Sequence, residues 1–246
     1  MTHAGRDVLR ARALKKVWVD GDRQIDIALD RLLLRAGDFV AITGASGSGK
    51  STVLDMLSLV LRPDQGGELY VDDDDGLRDM RHLVDAQNEG ALAKVRARVF
   101  GYVVQTSELI PFLTGFENCV LQQQISGRGD PHDIAGLAAA LDVAGLLGSY
   151  PSTLSVGQRQ RVAIVRALCC RPRIVLADEP TASQDPQLKD TVIGVLRRIS
   201  GQGCAVLMVT HDVPLLERHD IHSIACQAGI LGKVSQSRFC DERLAS

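Results

Sequence analysis

Apolar residues along this chain fall into two alternating patterns. Short β-branched runs at 39–43, 99–104, 173–177 and 205–210 read as buried strands. Between them, apolar positions recur every three or four residues. This predicts helices at 53–61, 113–121 and 157–170, and from near 186 to 199. A further helical stretch opens at Pro131 and carries Ile134, Leu137, Leu141, Val143, Leu146 and Leu147. Strands alternating with helices predict an α/β fold, a parallel sheet with functional groups at the strand C-termini. Upstream, 8–14, 25–29 and 32–34 read as short strands, with 15–19 between the first two; 69–71 reads as another, and 91–96 as a short helix. The early strands suggest a small antiparallel sheet beside the core. The acidic run from Asp72 to Asp75 reads as a solvated loop, and 224–226 with 230–231 as a closing hairpin. The expected organisation is one domain over 1–246. Residues 1–104 and 162–246 form the core and β subdomain, and 105–161 an inserted helical subdomain.

Between strand 39–43 and the following helix lies the sequence GASGSGKST, residues 44–52. Strand, glycine loop and helix are the context in which G-x-x-x-x-G-K-[ST] means a phosphate-binding P-loop. Gly44, Gly47 and Gly49, with Ser46 and Ser48 between them, let backbone N–H groups curl round an anion, and the helix N-terminus adds partial positive charge. Lys50 can reach the β- and γ-phosphates. The Ser51 hydroxyl, ahead of Thr52, can hold Mg²⁺. A second strand ends in Asp178 and Glu179. Were the two strands neighbours, Asp178 would hold Mg²⁺ through water and Glu179 would orient or deprotonate an attacking water. A buried pair of salt-bridging acids is the other reading. Trp18, the only tryptophan, is either a core aromatic or a stacking platform for a base.

The bulk properties narrow the class. A length of 246 residues is enough for a substantial core. A net charge of -2 and an aromatic fraction of 4% argue against a nucleic-acid partner, which would call for a basic excess or stacking surfaces. The six cysteines form no C-x-x-C pair and read as small buried thiols. Residues 1–7 lack the apolar core of a signal peptide, and no apolar run reaches the ~18 residues that span a bilayer. The expectation is a soluble chain whose membrane role, if any, needs a partner.

Taken in order, these motifs resemble the ATP-binding-cassette (ABC) ATPases, from about Val8 to about Asp212. Residues 44–52 match that family's Walker A, Gln105 its glutamine loop, and Leu154-Ser155-Val156-Gly157-Gln158 its signature loop. Residues 174–178 with Glu179 match its Walker B, Ala182-Ser183-Gln184-Asp185 its D-loop, and His211 its switch histidine. Trp18 falls where the family places an adenine-stacking aromatic. Residues 109–114 with Glu117 and Asn118 resemble its lipoprotein-releasing, macrolide-exporting and cell-division branch.

The resemblance implies ATP and Mg²⁺ as ligands, with Ser51, Gln105 and Asp178 at the metal and Glu179, His211 and Lys50 as catalytic groups. It implies a second ABC ATPase subunit whose Ser155, Gly157 and Gln158 complete the site in trans. It also implies separate transmembrane permease subunits, and a place on the cytoplasmic face of the membrane. Two departures stand out: Val156 replaces the first glycine of the signature, and Gln184 replaces a leucine in the D-loop. A β-branched residue restricts the backbone where glycine does not, so slower turnover is expected. Other readings are a non-transport ABC ATPase, or an ATP-sensing regulatory module with low hydrolysis. The sequence shows no second cassette, coiled-coil insertion or zinc-bearing segment to favour the first of these.

Overall fold

The chain opens with two long antiparallel strands, β1 (Asp7–Asp20) and β2 (Arg23–Arg35), where the pattern suggested several short ones. In β2, Ile27 and Leu29 are buried, then Leu32 and Leu34. The alternation changes phase at Asp30 and Arg31, which reads as a break in sequence although the backbone runs on. The computed structural model describes residues 5–231 and 234–244; the signal-peptide reading therefore rests largely on residues outside the described ones.

Next come β3 (Phe39–Thr43) and α1 (Lys50–Leu57). The helix is shorter than expected because Leu59 adopts a left-handed φ of 64° just after it. β4 (Glu68–Asp73) and β5 (Gly76–Asp79) form a hairpin, followed by α2 (Arg81–Asp85), α3 (Glu89–Val99) and β6 (Phe100–Val103). The helical insert holds α4 (Gly115–Ser126) and α5 (Pro131–Ala140), and α6 (Val156–Leu168) returns the chain to the core. β7 (Ile174–Asp178), α7 (Pro186–Gly201), β8 (Ala205–Val209) and α8 (Val213–Arg218) follow. The chain closes with β9 (His222–Ala225), β10 (Gln227–Leu231) and β11 (Val234–Cys240).

The strands form two sheets. One is entirely parallel, in the order β6-β7-β8-β3-β9; the other runs β10-β11-β2-β1-β4-β5. Apart from its edge strand β9, the parallel sheet is buried on both faces, which is why β3, β6, β7 and β8 are largely apolar runs. Ile42, Leu176 and Leu207 pack toward α1 and the antiparallel sheet, while Ala41, Val175, Val206 and Met208 pack toward the helices of the other side. Full burial of each large aliphatic side chain contributes about 1.5–3 kcal/mol. The α/β expectation therefore holds, with a parallel core, an antiparallel sheet and a helical insert.

Two local expectations are corrected. The segment 224–226 does not hairpin with 230–231: β9 joins the parallel sheet beside β3, and β10 pairs with β11 at the edge of the other sheet. The acidic run is not simply a solvated loop. Asp72 is fully buried within β4 and takes Arg173 Nη1 at 2.7 Å as well as Arg6, while Asp74 accepts from Arg128 and Arg173. Arginines distant in sequence neutralise the acids and allow the strand to form. Of the thiols, Cys119, Cys169, Cys170 and Cys204 are buried and all six are free; burial pushes Cys204 up to about 12.

Candidate active site

Because the core sheet is parallel, several chain reversals lie along its C-terminal edge. The loop after β3 is residues 44–49, Gln105 lies just beyond β6, Asp178 ends β7, and His211 lies just beyond β8. The loop is shaped by its glycines. Gly47 and Gly49 have φ of 77° and 84°, which a side chain rarely tolerates, and a Cβ on Gly49 would lie 2.5 Å from Ile27 Cδ1. Likewise a Cβ on Gly44 would meet Cys226 Cβ at 2.7 Å. Gly49 is also the N-cap of α1 and offers no side-chain cap, so the first-turn N–H groups of the helix remain free for an anion.

Lys50 is buried and curls over the loop, with Nζ donating to the carbonyls of Gly44 (3.0 Å) and Ala45 (2.8 Å). The Ser48 hydroxyl is buried without a protein partner. An ammonium, an orphaned hydroxyl and free N–H groups lining one concavity fit a polyphosphate.

The two acids reach this loop by a route the sequence did not suggest. β7 is not a neighbour of β3, since β8 lies between them. Even so, Asp178 and Ser51 line the same cleft. Burial pushes the Asp178 carboxyl above its ordinary range, and the charges of Glu179 and Asp55 act the same way, against the pull of the Ser51 hydroxyl and Lys50. Neither acid is one half of a salt bridge to Lys or Arg among the described residues. Instead Glu179 Oε1 lies 2.7 Å from His211 Nδ1. Hydroxyl, carboxylate and amide oxygens at Ser51, Asp178 and Gln105 form a hard-donor set that fits Mg²⁺.

A cleft of about 380 Å³ gathers Trp18, Ile25, Ile27, residues 46–52, Gln105, Asp178 and Glu179. Trp18 is 45% exposed on β1, with Lys16 Nζ 5.1 Å from its ring centroid. Gly44 forms the base of the loop behind this lining. Ser155, Gly157 and Gln158 do not line the cleft. They open α6, where Ser155 and Gln158 form a reciprocal capping box: Gln158 N–H donates to Ser155 Oγ (3.2 Å), and Ser155 N–H to Gln158 Oε1 (2.9 Å). Val156 is the first residue of the helix and takes no left-handed φ, so the backbone accommodates valine; its side chain is exposed.

Sequence reasoning passed over three residues here, Tyr102, Asp55 and Gln160, and noted Gln184 only as a departure from the D-loop pattern. Tyr102 donates its hydroxyl to Asp55 Oδ1 at 2.7 Å, and burial together with Asp55 drives the phenol pKa upward. Gln160 and Gln184 link α6 to the turn after β7. An acid in the otherwise apolar stretch Val53-Leu54-Asp55-Met56-Leu57 was a legible signal; the glutamine contacts, between residues 24 positions apart, were not.

Comparison with known proteins agrees with this geometry. The profile of the family described as ABC transporter matches residues 30–182. The macrolide export ATP-binding/permease protein MacB of Brucella melitensis is 38% identical over 221 residues, covering 88% of this chain and 33% of that protein. The chain thus spans about a third of the length of that relative. The lipoprotein-releasing system ATP-binding protein LolD of Shewanella denitrificans is 33% identical over 243 residues, covering 97% of this chain and 100% of the relative. Among solved structures, the dimeric post-hydrolysis state of the ATP-binding cassette MJ0796 bound to ADP and Pi superposes with a TM-score of 0.75. Its identity is 31%, over 84% of this chain and 89% of the other. The order of motifs, the two-sheet architecture and these matches agree: the chain belongs to the ABC transporter family.

Proposed function

We propose that this chain binds ATP with Mg²⁺ in the cleft over α1 and hydrolyses it when paired with a second cassette, so energising separate transmembrane subunits. One observation carries the reading. The P-loop, Asp178 and Glu179, the last held by His211, converge on one cleft, while the N-terminal end of α6 at Ser155–Gly157 stands outside it. A site assembled from two copies accounts for both halves.

In this reading the loop N–H groups, Lys50 and the Ser48 hydroxyl bind the phosphates, and the open face of Trp18 takes the adenine. Ser51, Asp178 and Gln105 would hold Mg²⁺, which when bound neutralises charge on the phosphate oxygens. Glu179 accepts a proton from, or orients, the attacking water, and His211 fixes the Glu179 carboxylate. Ser155, Gly157 and Gln158 of one copy close over the phosphates of the other. Residues 105–161 form the helical subdomain between core segments 1–104 and 162–246.

The membrane partner would dock at the helical insert. Phe112, Phe116, Ile125 and Tyr150 are exposed there, and Val60 and Ile125 flank a groove of about 280 Å³. No helix among the described residues is long and apolar enough to cross a membrane. In this proposal the chain lies peripherally on the cytoplasmic face, and separate permease subunits span the bilayer. The test is ATP hydrolysis and size-exclusion chromatography of the full chain. Glu179→Gln should stop hydrolysis and retain ATP-dependent dimers, and Lys50→Ala should weaken nucleotide binding itself. Full hydrolysis by Glu179→Gln would overturn the assigned base.

A further inference from the structure

Gln184 lies in the turn between β7 and α7, one residue before the α7 N-cap Asp185, and its side chain is buried. Both ends of its amide are engaged. Nε2 donates to the Gly157 carbonyl at 2.9 Å and to Gln160 Oε1 at 3.1 Å, and Oε1 accepts from Arg161 Nη1 at 3.2 Å. Gln160, 1% exposed, in turn donates Nε2 to the Glu179 carbonyl at 2.8 Å. An unbroken line of hydrogen bonds therefore runs from Gly157, at the open end of α6, to the peptide of Glu179.

Both ends of that line are tightly held. Glu179 sits at a left-handed φ of 48°, a strained conformation for a non-glycine residue, and its N–H is bonded to the Val209 carbonyl at 2.9 Å. At the other end the Ser183 carbonyl would lie 2.8 Å from a Cβ on Gly157, so the helix end and the turn pack without slack. A buried, satisfied polar network of this kind fixes relative positions, because each displaced partner is left unpaired out of water.

We infer that Gln184 is a positioning residue that couples the two half-sites this chain carries. One half is Glu179, which faces the nucleotide on the chain's own P-loop. The other is the α6 N-terminus, which, on the function proposed above, faces the nucleotide of a second copy. Movement of the Glu179 peptide is passed through Gln160 and Gln184 to Gly157, so engagement of one site biases the other. The coupling is a chain of direct contacts and acts in both directions. Leucine at this position would fill similar space but leave the Gly157 carbonyl, Gln160 Oε1 and Arg161 Nη1 without their partner. Glutamate would keep the acceptor for Arg161 and remove both donors.

The experiment measures hydrolysis by the full chain against ATP concentration, with thermal melting of the same samples, for the natural protein, Gln184→Leu and Gln184→Glu. The natural chain should show a Hill coefficient above one. Both variants should approach non-cooperative dependence, with the maximal rate reduced about fivefold or more while half-saturating ATP stays within about twofold. An unchanged Hill coefficient overturns the inference, whether the rate is retained or falls in step with melting temperature. Absence of hydrolysis by the natural chain would count against the proposed function instead. The coupling is then read by deuterium exchange of residues 155–161 on adding ATP and Mg²⁺. Exchange there should slow in the natural chain and not in Gln184→Leu; an equal response in both overturns the inference.

Discussion

Glu179 and His211 meet across two neighbouring strand ends, with Oε1 and Nδ1 2.7 Å apart. β7 and β8 are in register with Asp178 opposite Val209, so the residues just past each strand emerge side by side. The carboxylate is buried, whereas the imidazole is 67% exposed. The pair therefore joins a fixed group to one that solvent and a partner can reach.

The pair predicts an asymmetry between two substitutions. On the proposed function, Glu179→Gln removes the base and should lower the hydrolysis rate by about 10²–10⁴-fold. His211→Ala only releases that base from its orienting contact, so the loss should be smaller. Because His211 is largely exposed, its removal should shift stability by no more than about 0.5 kcal/mol. Rates from a coupled ATPase assay and melting curves of both variants check this; equal losses would assign His211 a direct role.

Asp178 predicts a pH-dependent trade of stability against function. Its carboxyl is raised mainly by burial. For a raised carboxyl, the stabilising contribution is complete below the unfolded-state value and is lost as pH rises through the folded-state value. At neutral pH the ionised group therefore works against folding. Asp178→Asn should melt higher than the natural chain at pH 7–8, by ~2–4 °C if about 1 kcal/mol is recovered. The advantage should shrink as the medium is acidified and Asp178 protonates. Hydrolysis should be lost at every pH, since the variant lacks the anionic oxygen next to Ser51.

Gly49 predicts a strain that can be divided in two. An alanine there must adopt φ near 84° and place Cβ 2.5 Å from Ile27 Cδ1. The left-handed backbone alone costs roughly 1–2 kcal/mol, and the clash adds to it. Ile27→Ala removes the atoms that would collide but leaves the backbone strain. The double substitution Gly49→Ala with Ile27→Ala should therefore destabilise by less than the sum of the singles. Urea denaturation of the four proteins measures the difference; strict additivity would mean that Ile27 does not confine the loop.

How far the sequence speaks for itself depends on the range of the interactions. The parallel core was legible because double burial leaves continuous apolar runs, and the P-loop because glycine conformation and helix start are local. The Ser155 cap of α6 lies just before the predicted start of that helix. What failed was set at long range. The phase change at Asp30 hid the continuity of β2, and Asp72 is buried only because Arg6 and Arg173 arrive from elsewhere. The strand order that inserts β8 between β7 and β3 is invisible to any local pattern, and so is the Gln184 network.

Val156 carries the last prediction. The concern raised by a β-branched residue in the signature was backbone restriction, yet Val156 begins α6 without a left-handed φ. What remains is its side chain, 56% exposed beside the first N–H groups of the helix. The capping box occupies the N–H groups of Ser155 and Gln158, so those of Val156 and Gly157 are the donors left for an anion. An isopropyl group at this position crowds the approach to them. Val156→Gly should open that approach, raising the hydrolysis rate several-fold and strengthening ATP-dependent dimers. It should also lower the melting temperature slightly, because glycine is the poorer helix former. Light scattering and turnover measured on the same preparations decide the matter: no change in either would make Val156 neutral, and slower turnover would show that its side chain contributes to the interface.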